Sequence, residues 1–165
     1  MEQGTAMRAP LSAHHSLSVA VETPEAMRRL GAQIAAHLRQ GEAVCLSGPL
    51  GAGKTTLARG LVQAVMGHAE ETPSPTFTLV QFYEGETLRL AHLDLYRLKD
   101  PNEAYELGLE EALEDGAAVI EWPERLGGAL PPDRLDVEIG FSDGGGGRRV
   151  RLTGHGTWVG RDREL

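Results

Sequence analysis

Apolar positions along the chain change their period several times, and each change marks an element. In LSVAVE (17–22) apolar and polar residues alternate, which predicts a short strand. Thr23 then offers an N-cap with Pro24 at the first helical position. Met27, Leu30, Ile34 and Leu38 follow at helical spacing, and Gly41 marks the end of that helix. AVCLSG (43–48) is a continuous apolar run, the pattern of a parallel strand covered on both faces. A glycine-rich turn follows it, and then a helix from Lys54 to about Met66.

The second half reads in the same way. TFTLVQFY (76–83) and TLRLAHLDLY (87–96) flank EGE and alternate, so they predict two strands and a possible hairpin. NEAYELGLEEALED (102–115) is helical with an interruption near Gly108. AAVIEW (117–122) is a second continuous apolar strand. Leu135, Val137, Ile139 and Phe141 alternate with polar residues, DGGGG (143–147) turns the chain, and RRVRLT continues the alternation. The ending is therefore an antiparallel hairpin. The fold class is α/β: a three-layer arrangement with a mixed, mainly parallel central sheet, helices on both faces and the antiparallel C-terminal hairpin. Residues 1–16 lack periodicity and read as a mobile leader, 17–153 as one domain, and 154–165 as a tail.

Charge and composition narrow the chemistry. A formal net charge of -8 argues against a broad basic face for a nucleic-acid backbone, although it leaves room for a basic protein partner. The single Cys45 lies in an apolar run, so no disulfide or cysteine metal site can be built, which fits a reducing cytoplasm. No signal-peptide core and no long apolar span is present, which argues against secretion and membrane insertion. Lys54 and Lys99 are the only lysines in a chain rich in arginine.

Lys54 stands in the most specific motif of the chain. GPLGAGKT, Gly48 to Thr55, fits G-x-x-x-x-G-K-[ST], with the required strand before it and helix after it. Glycines let backbone N–H groups turn inward on phosphates, and the helix N-terminus adds its partial positive charge. Lys54 would reach the β- and γ-phosphates, and the Thr55 hydroxyl would ligate Mg²⁺. The expected contact set is Gly48, Pro49, Leu50, Gly51, Ala52, Gly53, Lys54, Thr55 and Thr56.

Mg²⁺ in such a site needs a further contact, usually an acid at the end of a neighbouring parallel strand. Asp94 and Glu121 both qualify. Glu121 follows the cleaner apolar run and is expected nearer the metal, while Asp94 shares the metal shell or activates the attacking water. A guanine-reading Asn-Lys-x-Asp segment is missing, since Lys99 stands in RLKDP, so ATP is the better candidate. Trp122 offers an aromatic face beside the metal site, or else packs in the core. TPSPTFT (72–78) occupies the position of a γ-phosphate-sensing loop in switch-type NTPases, with Thr76 as the candidate sensor; an ordinary proline turn is the alternative.

GPLGAGKTTLARG, SPTFTLVQFY, HLDLYRL, NEAYELGLEE and VIEWPERL, in this order and spacing, resemble the TsaE (YjeE) family of bacterial ATPases. The family is the ATPase component for threonylcarbamoyladenosine modification of tRNA, and the resemblance covers roughly residues 17 to 153. It implies a P-loop fold binding ATP with Mg²⁺ through Lys54, Thr55 and Glu121. It assigns Asp94 to the metal and catalytic neighbourhood, and it puts Trp122 near the nucleotide. It also implies a base pocket at the N-terminal strand–helix junction, here Glu22 to Glu25, which adds Glu25 to the candidates. The implied partners are TsaD and TsaB, whose complex ATP hydrolysis resets, with tRNA engaged only indirectly. A small-molecule or nucleoside kinase and a nucleotide-sensing module without essential hydrolysis are the competing readings of the same loop.

Overall fold

The computed structural model describes residues 16–68, 75, 79–144 and 146–165. Seven strands form one sheet: β1 (Ser16–Val21), β2 (Ala43–Ser47), β3 (Val80–Glu84), β4 (Arg89–Asp94), β5 (Ala117–Glu121), β6 (Arg134–Phe141) and β7 (Arg148–His155). Their order is β1-β7-β6-β2-β5-β4-β3. β2 is parallel to both β5 and β6, and β4 is parallel to β5. Antiparallel pairing adds β3 at one edge and the β6–β7–β1 group at the other. Thus β1, β2, β4, β5 and β6 run one way, and only β3 and β7 oppose them.

The continuous apolar strands are buried on both faces, as their pattern requires. Val44, Leu46, Ala117 and Val119 join one core with the helices α1 (Pro24–His37) and α2 (Lys54–Met66). Ala43, Cys45, Ala118 and Ile120 point into a second core with α3 (Glu103–Glu106), α4 (Leu109–Asp115) and the 3-10 segment Pro123–Ala129. One residue of strand therefore serves one layer and the next serves the other. On β6, Leu135, Val137 and Ile139 face only the first core, which is why that strand alternates.

α1 and α2 cross closely because glycines stand at the contact. A Cβ at Gly31 would overlap the Leu57 carbonyl, and one at Gly60 would overlap the Arg28 carbonyl.

Several expected boundaries move. α1 ends at His37 rather than at Gly41, because Leu38 already adopts an extended conformation. Gly41 lies in the following turn with φ 90° and donates its N–H to the Gly116 carbonyl. The hairpin of β3 and β4 forms as expected, and Gly108 (φ 84°) breaks the helix between α3 and α4. β5 ends at Glu121, one residue early: Trp122 takes the left-handed conformation (φ 61°, ψ 52°), so the chain turns before Pro123. The Trp122 N–H donates to the Leu46 carbonyl at 3.2 Å, so the turn begins after this last bond to β2. Residues 154–165 finish β7 and add two short 3-10 turns that bury Trp158 completely.

Candidate functional site

The site begins where β2 leaves the sheet. Gly48, Gly51 and Gly53 have φ of 143°, 79° and 118°, values that side-chain-bearing residues rarely adopt. Gly48 has a second requirement, since a Cβ there would overlap the Ile139 carbonyl. The loop delivers the chain to the first turn of α2, whose N-cap Gly53 offers no side-chain acceptor. The first N–H groups of that helix are thus left for a ligand, and an anion suits them.

Lys54 is nearly buried and folds back over the loop. Its Nζ donates to the Gly48 carbonyl (2.5 Å) and the Pro49 carbonyl (2.8 Å), and it lies 4.2 Å from the centroid of the Trp122 ring. Burial pulls the Lys54 ammonium below its ordinary pKa, while the Glu121, Glu124 and Asp94 carboxylates oppose that shift.

The two strand-end acids are brought side by side. Asp94 and Glu121 are register partners at the ends of β4 and β5, and both are buried. Thr55 Oγ1 donates to Glu121 Oε1 at 3.0 Å, which joins the helix start to the strand end. The other oxygen, Oε2, meets His92 Nε2 at 2.7 Å, with both side chains 2% exposed. With Nε2 protonated, His92 donates to that oxygen. Asp94 Oδ1 accepts the Tyr96 backbone N–H at 3.1 Å. Among the described residues no three His, Cys, Asp or Glu side chains gather into a metal cage. A cation here would rest on a hydroxyl and one or two carboxylates, the donor set of a hard ion that takes its other oxygens from water and phosphate.

Two hollows flank the loop. The first, a cleft of about 390 Å³, is lined by Leu50, Gly51, Gly53, Lys54, Thr55, Thr56, Asp94, Tyr96, Arg97, Glu121 and Trp122. The second, of about 200 Å³, lies between Val21–Pro24, Met27, the loop and Gly146–Arg148. They share Gly51, Gly53 and Thr56, so the two hollows adjoin each other around the loop.

The residues expected from sequence fall into three groups. Lys54, Thr55, Asp94, Glu121 and Trp122 converge on the cleft, and Gly48 to Gly53 form its loop. Trp122 packs its ring against Tyr96 (centroids 4.9 Å apart) and Lys54, on the opposite side of the loop from the strand–helix junction. Glu25 stands apart: it pairs with Arg28 at 3.7 Å and lines a different surface hollow. Thr76 lies outside the described residues. His92, Tyr96 and Arg148 were missed. The alternation of β4 puts His92 on the same face as Asp94, a signal that was available for it.

A glycine-rich loop joining a buried parallel strand to a helix start, with acids at the neighbouring strand ends, defines a P-loop-like α/β protein of the nucleotide-binding kind. The model of the family "Threonylcarbamoyl adenosine biosynthesis protein TsaE" matches residues 21–150. The chain belongs to the TsaE family, which functions in threonylcarbamoyladenosine biosynthesis of tRNA. It is 39% identical over 125 residues to the tRNA threonylcarbamoyladenosine biosynthesis protein TsaE of Rickettsia conorii, covering 76% of this chain and 69% of that protein. It is 40% identical over 136 residues to the protein so named in Streptomyces coelicolor, covering 79% of this chain and 91% of the relative. The crystal structure of Bacillus subtilis YdiB superposes with a TM-score of 0.75 at 28% identity, covering 91% of this chain and 93% of that one.

Proposed function

We propose that this protein binds ATP with Mg²⁺ in the cleft beside Lys54 and hydrolyses it, in support of a TsaD–TsaB transferase pair. The observation that carries this reading is the Thr55–Glu121 hydrogen bond of 3.0 Å, with Lys54 over the same cleft. It brings a hydroxyl and a carboxylate together where a phosphate-bound cation needs oxygens. Mg²⁺ would supply charge neutralisation on the β- and γ-phosphates. Lys54 would exchange its two loop carbonyls for phosphate oxygens, and the N–H groups at the start of α2 would hold the remaining charge. Asp94, next to Glu121, would accept a proton from the attacking water. The water oxygen bonds to the γ-phosphorus as the bond to the β–γ bridging oxygen breaks, giving ADP and phosphate. The adenosine would lie in the hollow at Val21–Pro24, on the far side of the loop from Trp122.

Purified protein with Mg-ATP is expected to release phosphate slowly with no acceptor present, to stop on chelation, and to change rate when the TsaD–TsaB pair is added. Lys54→Ala is expected to abolish nucleotide affinity, because Lys54 is the one lysine that lines the cleft. Product formed only when a nucleoside or sugar acceptor is supplied would replace this reading with a kinase.

A further inference from the structure

The phosphate loop is also gripped from a part of the chain that no phosphate-loop motif includes. Arg148 is the first residue of β7. In register it pairs with Val21, the last residue of β1, and with Phe141, the last residue of β6. Three strand ends therefore meet beside the loop, on the opposite side of β2 from Glu121. From that position the Arg148 guanidinium donates through Nε to the Ala52 carbonyl (2.9 Å) and through Nη2 to the Gly51 carbonyl (3.3 Å). Its Nη1 reaches the Gly147 carbonyl at 3.2 Å, and its Cζ lies 4.6 Å from the centroid of the Phe141 ring.

We infer that Arg148 is a positioning residue for nucleotide binding, one that holds the phosphate loop in its anion-receiving shape. The inference rests on the reading of the loop proposed above. In a trans peptide the C=O and the next N–H point in opposite directions. A guanidinium that draws the Ala52 carbonyl towards β7 therefore turns the Gly53 N–H away from β7, into the loop. Glycine-rich backbone flips readily, and an inward carbonyl would put negative charge against a phosphate. Arg148 opposes that flip at two successive peptides. Arginine suits the task because its planar fork spans two carbonyls at once, whereas an ammonium is a single point of charge. The same side chain closes one wall of the 200 Å³ hollow at Val21–Pro24, so loop shape and hollow depend on one residue.

The test uses the full chain and two ligands, Mg-ATP and magnesium tripolyphosphate, which has no nucleoside. Affinities come from displacement of a fluorescent nucleotide, and thermal melting reports folding of every variant. Arg148→Met is expected to weaken tripolyphosphate by about tenfold and ATP by at least as much, because the loss at the phosphates passes through the loop and the adenosine also loses one wall of its hollow. Arg148→Lys, which keeps the charge and the stem, is expected to fold like the wild type and to regain only part of that loss. Unchanged affinity in Arg148→Met would overturn the inference, as would full recovery in Arg148→Lys. A loss confined to ATP would also overturn it, since the guanidinium would then act on the nucleoside directly. Lys54→Ala is the separate control: a wild-type chain that binds neither ligand, or a Lys54→Ala chain that binds both at full strength, refutes the phosphate-loop reading itself.

Discussion

Each oxygen of Glu121 has its own hydrogen-bond partner, and that division governs what the residue can do. One faces the Thr55 hydroxyl and the other is fixed by His92, so the carboxylate has little freedom to rotate. A group that orients a charged side chain in a buried site commonly changes activity by about ten- to a hundredfold when removed. His92→Phe is accordingly expected to lower phosphate release by about tenfold while leaving nucleotide affinity close to wild type. His92→Gln, which keeps a donor, should recover part of that loss. Glu121→Gln keeps an acceptor for Thr55 and removes the charge. Its turnover should collapse, with binding retained, in single-turnover and equilibrium assays run side by side. Unchanged turnover in Glu121→Gln would leave Asp94 as the principal acid. Lys54 and Trp122 belong to the same constellation, since the ammonium rests against the indole and the loop carbonyls.

At the scale of elements, the site exists because two parallel strands end together and one helix begins between them. Strand positions were legible in sequence because β2 and β5 are covered on both faces and so read as unbroken apolar runs. The glycine-lysine-threonine spacing made the loop legible for a separate reason, its backbone requirement. Boundaries were less legible: Trp122 leaves β5 through a left-handed conformation that no residue pattern announces for tryptophan. Arg148 was invisible because its partners are backbone carbonyls 96 and 97 residues away in the chain. The helix crossing depends on missing side chains, and this gives an element-scale prediction. Gly60→Ala would drive a methyl group into the Arg28 carbonyl and push α2 from α1. It should cost about 1–3 kcal/mol in urea unfolding, despite the better helix propensity of alanine.

Across the whole molecule, the C-terminal residues lock the layers together. Glu42 is buried, accepts the Arg39 N–H and the Thr157 hydroxyl, and pairs with Arg161 at 2.5 Å. Arg161 also donates to the His37 carbonyl and covers the Trp158 ring at 4.3 Å. Removing Arg161 leaves the Glu42 carboxylate buried without its cation, which typically costs about 3–5 kcal/mol. Arg161→Met should therefore lower the denaturant midpoint strongly while leaving ATP affinity of the folded protein unchanged, because the lock lies away from both hollows. The sequence pattern marked residues 154–165 only as a tail, since this lock is made of contacts more than a hundred residues apart. Among the described residues no helix is long and apolar enough to cross a membrane. The proposed metal and phosphate site lies between the start of α2 and the end of β5. The most direct measurement is a crystal structure with a non-hydrolysable ATP analogue and Mn²⁺ in place of Mg²⁺, located by its anomalous signal. The account predicts the metal within coordination distance of the Thr55 hydroxyl or bridged to Glu121 by one water, with the γ-phosphate on Lys54. A nucleotide bound outside the Gly48–Thr55 loop, or a metal that neither touches the Thr55 hydroxyl nor meets Glu121 directly or through one water, would contradict it.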